Sequence, residues 1–141
     1  MNDPFLFFLH IPKNAGTTLR SILDAQYGRR AVLTYYNQPS RQLLDNLRYM
    51  LMDQRNKYRA LVGHFSFGVH ENLGAPHVYI TLMRDPVQRA ISGYYENLKT
   101  DPGRLTNQDG TVRSLGEDVR HRPEAYANQQ LKMLAGLADE T

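Results

Sequence analysis

The side chains best suited to chemistry in this chain are cations and hydroxyls set beside glycine at the ends of apolar runs. In the first such place, Lys13-Asn14-Ala15-Gly16-Thr17-Thr18 follows the run Phe5-Leu6-Phe7-Phe8-Leu9 and opens a helical pattern. A strand, a glycine-bearing loop and a helix start make an anion site, because free backbone N–H groups and the positive end of the helix dipole converge there. Gly16 is expected to let the backbone turn and come close to a phosphate. Thr17 and Thr18 bring hydroxyl donors, and Lys13 a mobile positive charge. The order differs from the Walker A loop, GxxxxGK[ST], whose lysine directly follows its second glycine. Here Lys13 precedes Gly16. Read alone, the stretch also suits an ordinary strand-to-helix junction with a surface lysine.

The second place is Arg84-Asp85-Pro86, directly after the apolar run Val78-Tyr79-Ile80-Thr81-Leu82-Met83. Pro86 fits the first turn of a helix and Asp85 its N-cap. Arg84 then stands at a strand end and Ser92 about two turns into the helix, within reach of one anion over the sheet edge. The third place is His64, after Gly63 at the end of the short run 59–62. An imidazole at a strand end suits a general base, and it suits a structural role as well. Glu71, in the following loop beside His70, is the competing base. His64, His70 and His77 compose a metal set by type alone, with no helical His-x3-His or cysteine pairing behind it, so no metal is expected.

Taken together, HIPKNAGTTL and MRDPVQRAISGYY resemble the two cofactor signatures of the sulfotransferase family that uses 3′-phosphoadenosine-5′-phosphosulfate (PAPS). The resemblance runs from about residue 5 to residue 136 and points to the carbohydrate-modifying branch typified by heparan sulfate 2-O-sulfotransferase and its bacterial relatives. It implies that Lys13, Asn14, Ala15, Gly16, Thr17 and Thr18 hold the 5′-phosphosulfate, and that Arg84 and Ser92 hold the 3′-phosphate. It further implies Lys13 as the group that neutralises the leaving phosphate and His64 as the base. The resembled 2-O-sulfotransferases carry a His-Gly-His stretch, and here Val62 replaces its first histidine. Near the end, Asn128, Gln130, Lys132, Met133 and Leu134 resemble a family pattern Asn-x-Gln-Thr-Arg-Met-Leu, with Leu131 for Thr and Lys132 for Arg. That lysine keeps the charge and loses the planar fork. The implied activity is transfer of a sulfuryl group from PAPS to an acceptor hydroxyl, with no metal; the likeness to the 2-O-sulfotransferases favours a saccharide, and a lipid-linked glycan, a small metabolite and a peptide tyrosine stay open.

The elements that must position these residues follow from periodicity. Strands are expected at 5–9, 31–34, 59–62 and 78–82. Helices are expected from Thr17 to about Tyr27 with Gly28 as the stop, from about Ser40 to Tyr58, from Pro86 to about Lys99, and from Pro123 to Gly136. Residues 101–113 are rich in turn formers and read as a loop, either carrying acceptor contacts or plain linker. Tyr94 and Tyr95 are expected either in the core, the default for such residues, or lining the acceptor cleft. The alternation of strand and helix indicates an α/β fold, three-layered and P-loop NTPase-like, with a mostly parallel sheet and the ligand across the strands' C-terminal ends.

A chain of 141 residues supports one domain. The family usually continues with further segments, so the sequence reads as a single sulfotransferase domain without them. A net charge of +3 suits an anionic ligand, and no dense basic tract with interleaved aromatics points to nucleic acid. With no cysteine, disulfides and thiolate metal sites are excluded. The apolar run 5–9 is too short to span a bilayer. Animal members of the resembled family carry an N-terminal membrane anchor; set against them, a start at Met1 just before the first strand leads to the expectation of a bacterial cytoplasmic enzyme, with a chain whose anchor was removed as the alternative. The resemblance implies a small-molecule nucleotide donor; oligomeric state is not legible. Three other readings stay open: a degenerate PAPS-binding domain without turnover, a kinase-like phosphoryl transferase on the same sheet, and an α/β interaction module that binds no nucleotide.

Overall fold

The computed structural model describes residues 3–36, 47, 57–71 and 76–137. Its centre is a four-stranded, wholly parallel sheet: β1 (Phe5–Leu9), β2 (Val32–Tyr35), β3 (Ala60–Gly63) and β4 (His77–Thr81), in the spatial order β2-β3-β1-β4. Leu6 stands beside Ala60 on one side and Val78 on the other, and Leu9 beside Gly63 and Thr81. A parallel strand inside a sheet is covered on both faces, which is why β1 reads as an unbroken apolar run.

Its alternate side chains feed two cores. Phe7 and Leu9 join Leu61, Phe65, Val69 and Met133, together with Leu47. Leu6 and Phe8 join Val32, Val62 and Leu23 on the opposite face. Helix α1 (Gly16–Tyr27) covers the second face through Leu19 and Leu23, and a short C-terminal helix covers the first through Met133 and Leu134. This is the three-layer α/β architecture expected from the sequence. The parallel order places the C-terminal ends of β1, β3 and β4 along one edge.

Helix α2 (Pro86–Thr100) starts where expected: Asp85 caps it, its Oδ1 accepting from the Gln88 N–H at 2.8 Å. Tyr94 is buried and donates to the Arg113 carbonyl, whereas Tyr95 is exposed, against the core placement expected by default. The two sit on neighbouring faces of one helix, and only one face meets protein. The expected helix from about Ser40 to Tyr58 lies outside the described residues, apart from residue 47, which is helical and buried, and residues 57–58, which are a turn and coil.

The C-terminal third departs from expectation in two ways. Helix α3 (Leu115–His121) was not anticipated, although Ser114 and Glu117 spell a capping box and form one, each side chain bonding the other's backbone. The single helix expected from Pro123 to Gly136 is broken. A 3-10 turn (Pro123–Ala125) is separated from α4 (Gln129–Leu134) by Asn128 in the left-handed region at φ 55°. The loop at 101–113 holds a 3-10 turn (Pro102–Leu105) whose Leu105 is fully buried. Among the described residues no helix is long and apolar enough to cross a membrane.

Candidate active site

At the end of β1 the chain turns sharply. Lys13 and Ala15 both have positive φ, 69° and 58°. Gly16, expected to provide that turn, is instead the first residue of α1 with no positive φ. It is glycine for a different reason: a Cβ there would lie 1.8 Å from the His10 ring. A left-handed residue followed by a helical one points successive N–H groups into one concavity. No side chain caps α1. Its first backbone bonds come from Thr18 and Leu19 to the Ala15 carbonyl, so the N–H groups of Gly16 and Thr17 are without protein partners among the described residues. An uncapped helix start with two free donors attracts an anion. Helix α2, by contrast, is capped by Asp85.

A second tie joins the two signature loops. Gln130, on α4 and buried, accepts from Asn14 Nδ2 at 2.7 Å and from the Arg84 N–H at 3.1 Å, and donates to the Arg84 carbonyl at 2.9 Å. Asn14 also donates to the Leu82 carbonyl. One amide on α4 thus sets the loop after β1 against the loop after β4, and Arg84 Nη1 reaches the Lys13 carbonyl at 3.4 Å.

These elements enclose an open cleft of about 710 Å³. Lys13, Ala15, Gly16 and Thr17 line one side; Arg84, Arg89, Ser92 and Glu96 line another; His10 and His64 also line it. Of the residues singled out from sequence, Lys13, Ala15, Gly16, Thr17, His64, Arg84 and Ser92 come together here. Asn14 and Thr18 do not line the cleft; the Asn14 side chain holds the loop in place from behind.

His64 follows Gly63, where a Cβ would lie 1.8 Å from the Tyr35 carbonyl oxygen, so only glycine lets β3 end this close to β2. The His64 N–H then donates to that same oxygen at 3.0 Å. The imidazole packs against His10 and Tyr36 with ring centroids 4.8 and 4.7 Å away, and its Nε2 is buried without a partner. Burial, reinforced by His10, pushes His64 down to about 4. Burial and then Arg20 lower His10 as well. Both imidazoles are therefore neutral near pH 7, a form that can accept a proton. Glu71 does not line this cleft; its N–H closes a turn onto the Gly68 carbonyl. His70 and His77 pack on each other with tilted rings beside Tyr79, on the sheet face opposite His64. Among the described residues no cluster of three or more His, Cys, Asp or Glu could hold a metal.

A model described as the sulfotransferase family matches residues 2–133. The chain belongs to the sulfotransferase family. No curated protein and no solved structure matched it. The chemistry of this sulfotransferase domain is accordingly transfer of a sulfuryl group from a small-molecule donor. Several residues of its cleft went unnoticed in the sequence. His10 had a legible signal, since residues just past adjacent parallel strands share one edge, and the His10 N–H bonds to the Gly63 carbonyl at 2.9 Å. Glu96 lies one turn beyond Ser92 on the same helix face. Arg104 and Arg122, from the C-terminal third, carried no signal.

Proposed function

We propose that the domain transfers the sulfuryl group of PAPS to a hydroxyl of a saccharide acceptor. The observation that carries this reading is the pairing, across one cleft, of the uncapped α1 start and Lys13 with Arg84 and Ser92. Two cationic stations suit a nucleotide with phosphates at both the 5′ and 3′ positions, which distinguishes PAPS from ADP or ATP. The sugar hydroxyl rests on the likeness of the two signatures to the carbohydrate-modifying branch.

PAPS, when bound, supplies an activated sulfuryl group on a phosphate leaving group. The Gly16 and Thr17 N–H groups would bind the 5′-phosphate, within the loop formed by Asn14, Ala15 and Thr18. Lys13 Nζ would neutralise the charge that develops on the bridging oxygen as the sulfur–oxygen bond breaks. Arg84 and Ser92 would hold the 3′-phosphate and so fix the donor's position. As the acceptor oxygen bonds to sulfur, its proton would pass to the neutral His64 imidazole.

Calorimetric titration with 3′,5′-diphosphoadenosine, the desulfated donor, tests the reading, with ADP as control. Binding in clear preference to ADP, weakened in both Lys13→Ala and Arg84→Ala, is expected. Equal binding of the two nucleotides by the folded chain would rule the donor assignment out.

A further inference from the structure

Among the described residues two arginines are buried, and they are treated in opposite ways. Arg113 is 7% exposed; its guanidinium donates to Asp118 and to oxygens of Arg104, Thr106 and Asn107. Arg89, on α2 one turn before Ser92, is also 7% exposed. Its Nε is buried without a partner, and one terminal nitrogen makes a single long bond, 3.4 Å, to the Tyr126 carbonyl. It takes part in none of the ion pairs found among the described residues. A guanidinium has five N–H donors and keeps its charge, so burying one without an anion is unfavourable. Arg113 stabilises the scaffold and has its counter-ion there. Arg89 lines the cleft, as does Ser92.

We propose that Arg89 is the specificity-determining residue for the donor's second phosphate: it takes the 3′-phosphate together with Ser92, and it is the group by which the site rejects nucleotides that lack one. This rests on the donor reading above. Arg84, already placed at the same phosphate, is exposed, and an exposed cation discriminates weakly because water compensates it when no anion arrives. Arg89 has no such compensation. A monophosphorylated nucleotide in the cleft leaves its guanidinium buried and unpaired, whereas a 3′-phosphate meets it fork to oxygen in a water-poor setting. The same reasoning makes Arg89 a destabilising element of the empty protein, held in place for the ligand.

The test compares 3′,5′-diphosphoadenosine with adenosine 5′-monophosphate by calorimetry, alongside the melting temperature without ligand. Variants are Arg89→Met, which keeps length without charge, and Arg89→Lys, which keeps charge without the fork. The native chain is expected to prefer the diphosphate by about 100-fold or more, as two charge-assisted hydrogen bonds would give. Arg89→Met is expected to melt at or above the native temperature and to retain less than about a tenth of that preference. Arg89→Lys is expected to fall between. A native-like preference in either variant overturns the proposal, and so does an Arg89→Met protein that melts well below the native one. A native chain that shows no preference for the diphosphate fails the donor reading itself and this proposal with it.

Discussion

Lys13 Nζ and the Glu96 carboxylate are joined by a 2.5 Å ion pair across the cleft. The lysine best placed to neutralise a leaving group is thus already neutralised by α2, in the region where an anionic donor must bind. Glu96 is held below the usual carboxylate range by the hydrogen bond and charge of Lys13. It is ionised at neutral pH and repels incoming phosphate. Glu96→Gln is expected to bind 3′,5′-diphosphoadenosine more tightly, by roughly 3- to 30-fold at low salt, with the gain shrinking as salt is raised. Calorimetry at two ionic strengths checks this; an affinity that stays the same at both would show that Glu96 does not compete for Lys13.

His64 sets a pH dependence. Its imidazole titrates near 4 in the folded chain against 6.5 for a free histidine. The unfolded chain therefore binds more protons between those values, and this contribution to stability is present above pH 6.5 and lost as pH falls toward 4. Phosphate bound in the cleft favours the imidazolium and raises the value. NMR titration of the His64 ring is expected to show an upward shift on adding 3′,5′-diphosphoadenosine. His64→Ala is expected to lower the sulfuryl-transfer rate by about 10²- to 10⁴-fold while leaving diphosphate affinity nearly unchanged. An unaltered rate would transfer the base role elsewhere.

Ala15 occupies the left-handed region at φ 58° with no glycine to relieve it. That conformation costs roughly 1 kcal/mol for a residue with a Cβ. Ala15→Gly is expected to raise stability by somewhat less than this, since glycine also enlarges the unfolded ensemble. Urea denaturation measures the difference. A loss of stability would mean that the Ala15 methyl group makes contacts worth more than the strain.

Asp118 is fully buried and accepts from Arg113, Arg122 and the Tyr126 hydroxyl. Burial alone would raise its pKa, but the hydrogen bonds from Arg122, Tyr126 and Arg113 outweigh it and hold the group at about 2. Its stabilising contribution is present above the ordinary aspartate value of 3.8 and is lost as pH falls toward 2. Asp118→Asn leaves two arginines without their counter-charge and is expected to cost on the order of 3 kcal/mol. Because Arg122, Ala125 and Tyr126 all line the cleft, the same change is expected to weaken diphosphate binding at temperatures where the protein is still folded. Denaturation and calorimetry on one preparation separate the two effects; a variant as stable as the native chain would deny the network its structural role.

The strands, α1 and α2 were legible because their patterns are local: an apolar run bounded by turn formers, a glycine stop at Gly28, a proline at the first turn of α2 behind an aspartate cap. The two signature loops were legible for the same reason, since spacing along one strand-loop-helix unit is read directly from the chain. The C-terminal third was not. An apolar pattern running from Pro123 to Gly136 hides the left-handed Asn128, and nothing in the spacing says that Gln130 will turn inward to bond the Arg84 backbone.

What the sequence determined by itself is therefore the fold class, the order of the strand-loop-helix units and the residue types offered to an anion. Only the tertiary structure decided which of those residues meet. It placed His10 beside His64 because β1 and β3 are parallel neighbours, which supplies a second histidine where the expected His-Gly-His had Val62. It turned Asn14 away from the cleft to serve as a support, gave Lys13 the partner Glu96, and left Arg89 buried without one. Each of these depends on contacts between residues far apart along the chain. Such contacts are set by packing and by the need to satisfy buried polar groups, and neither is written in local periodicity.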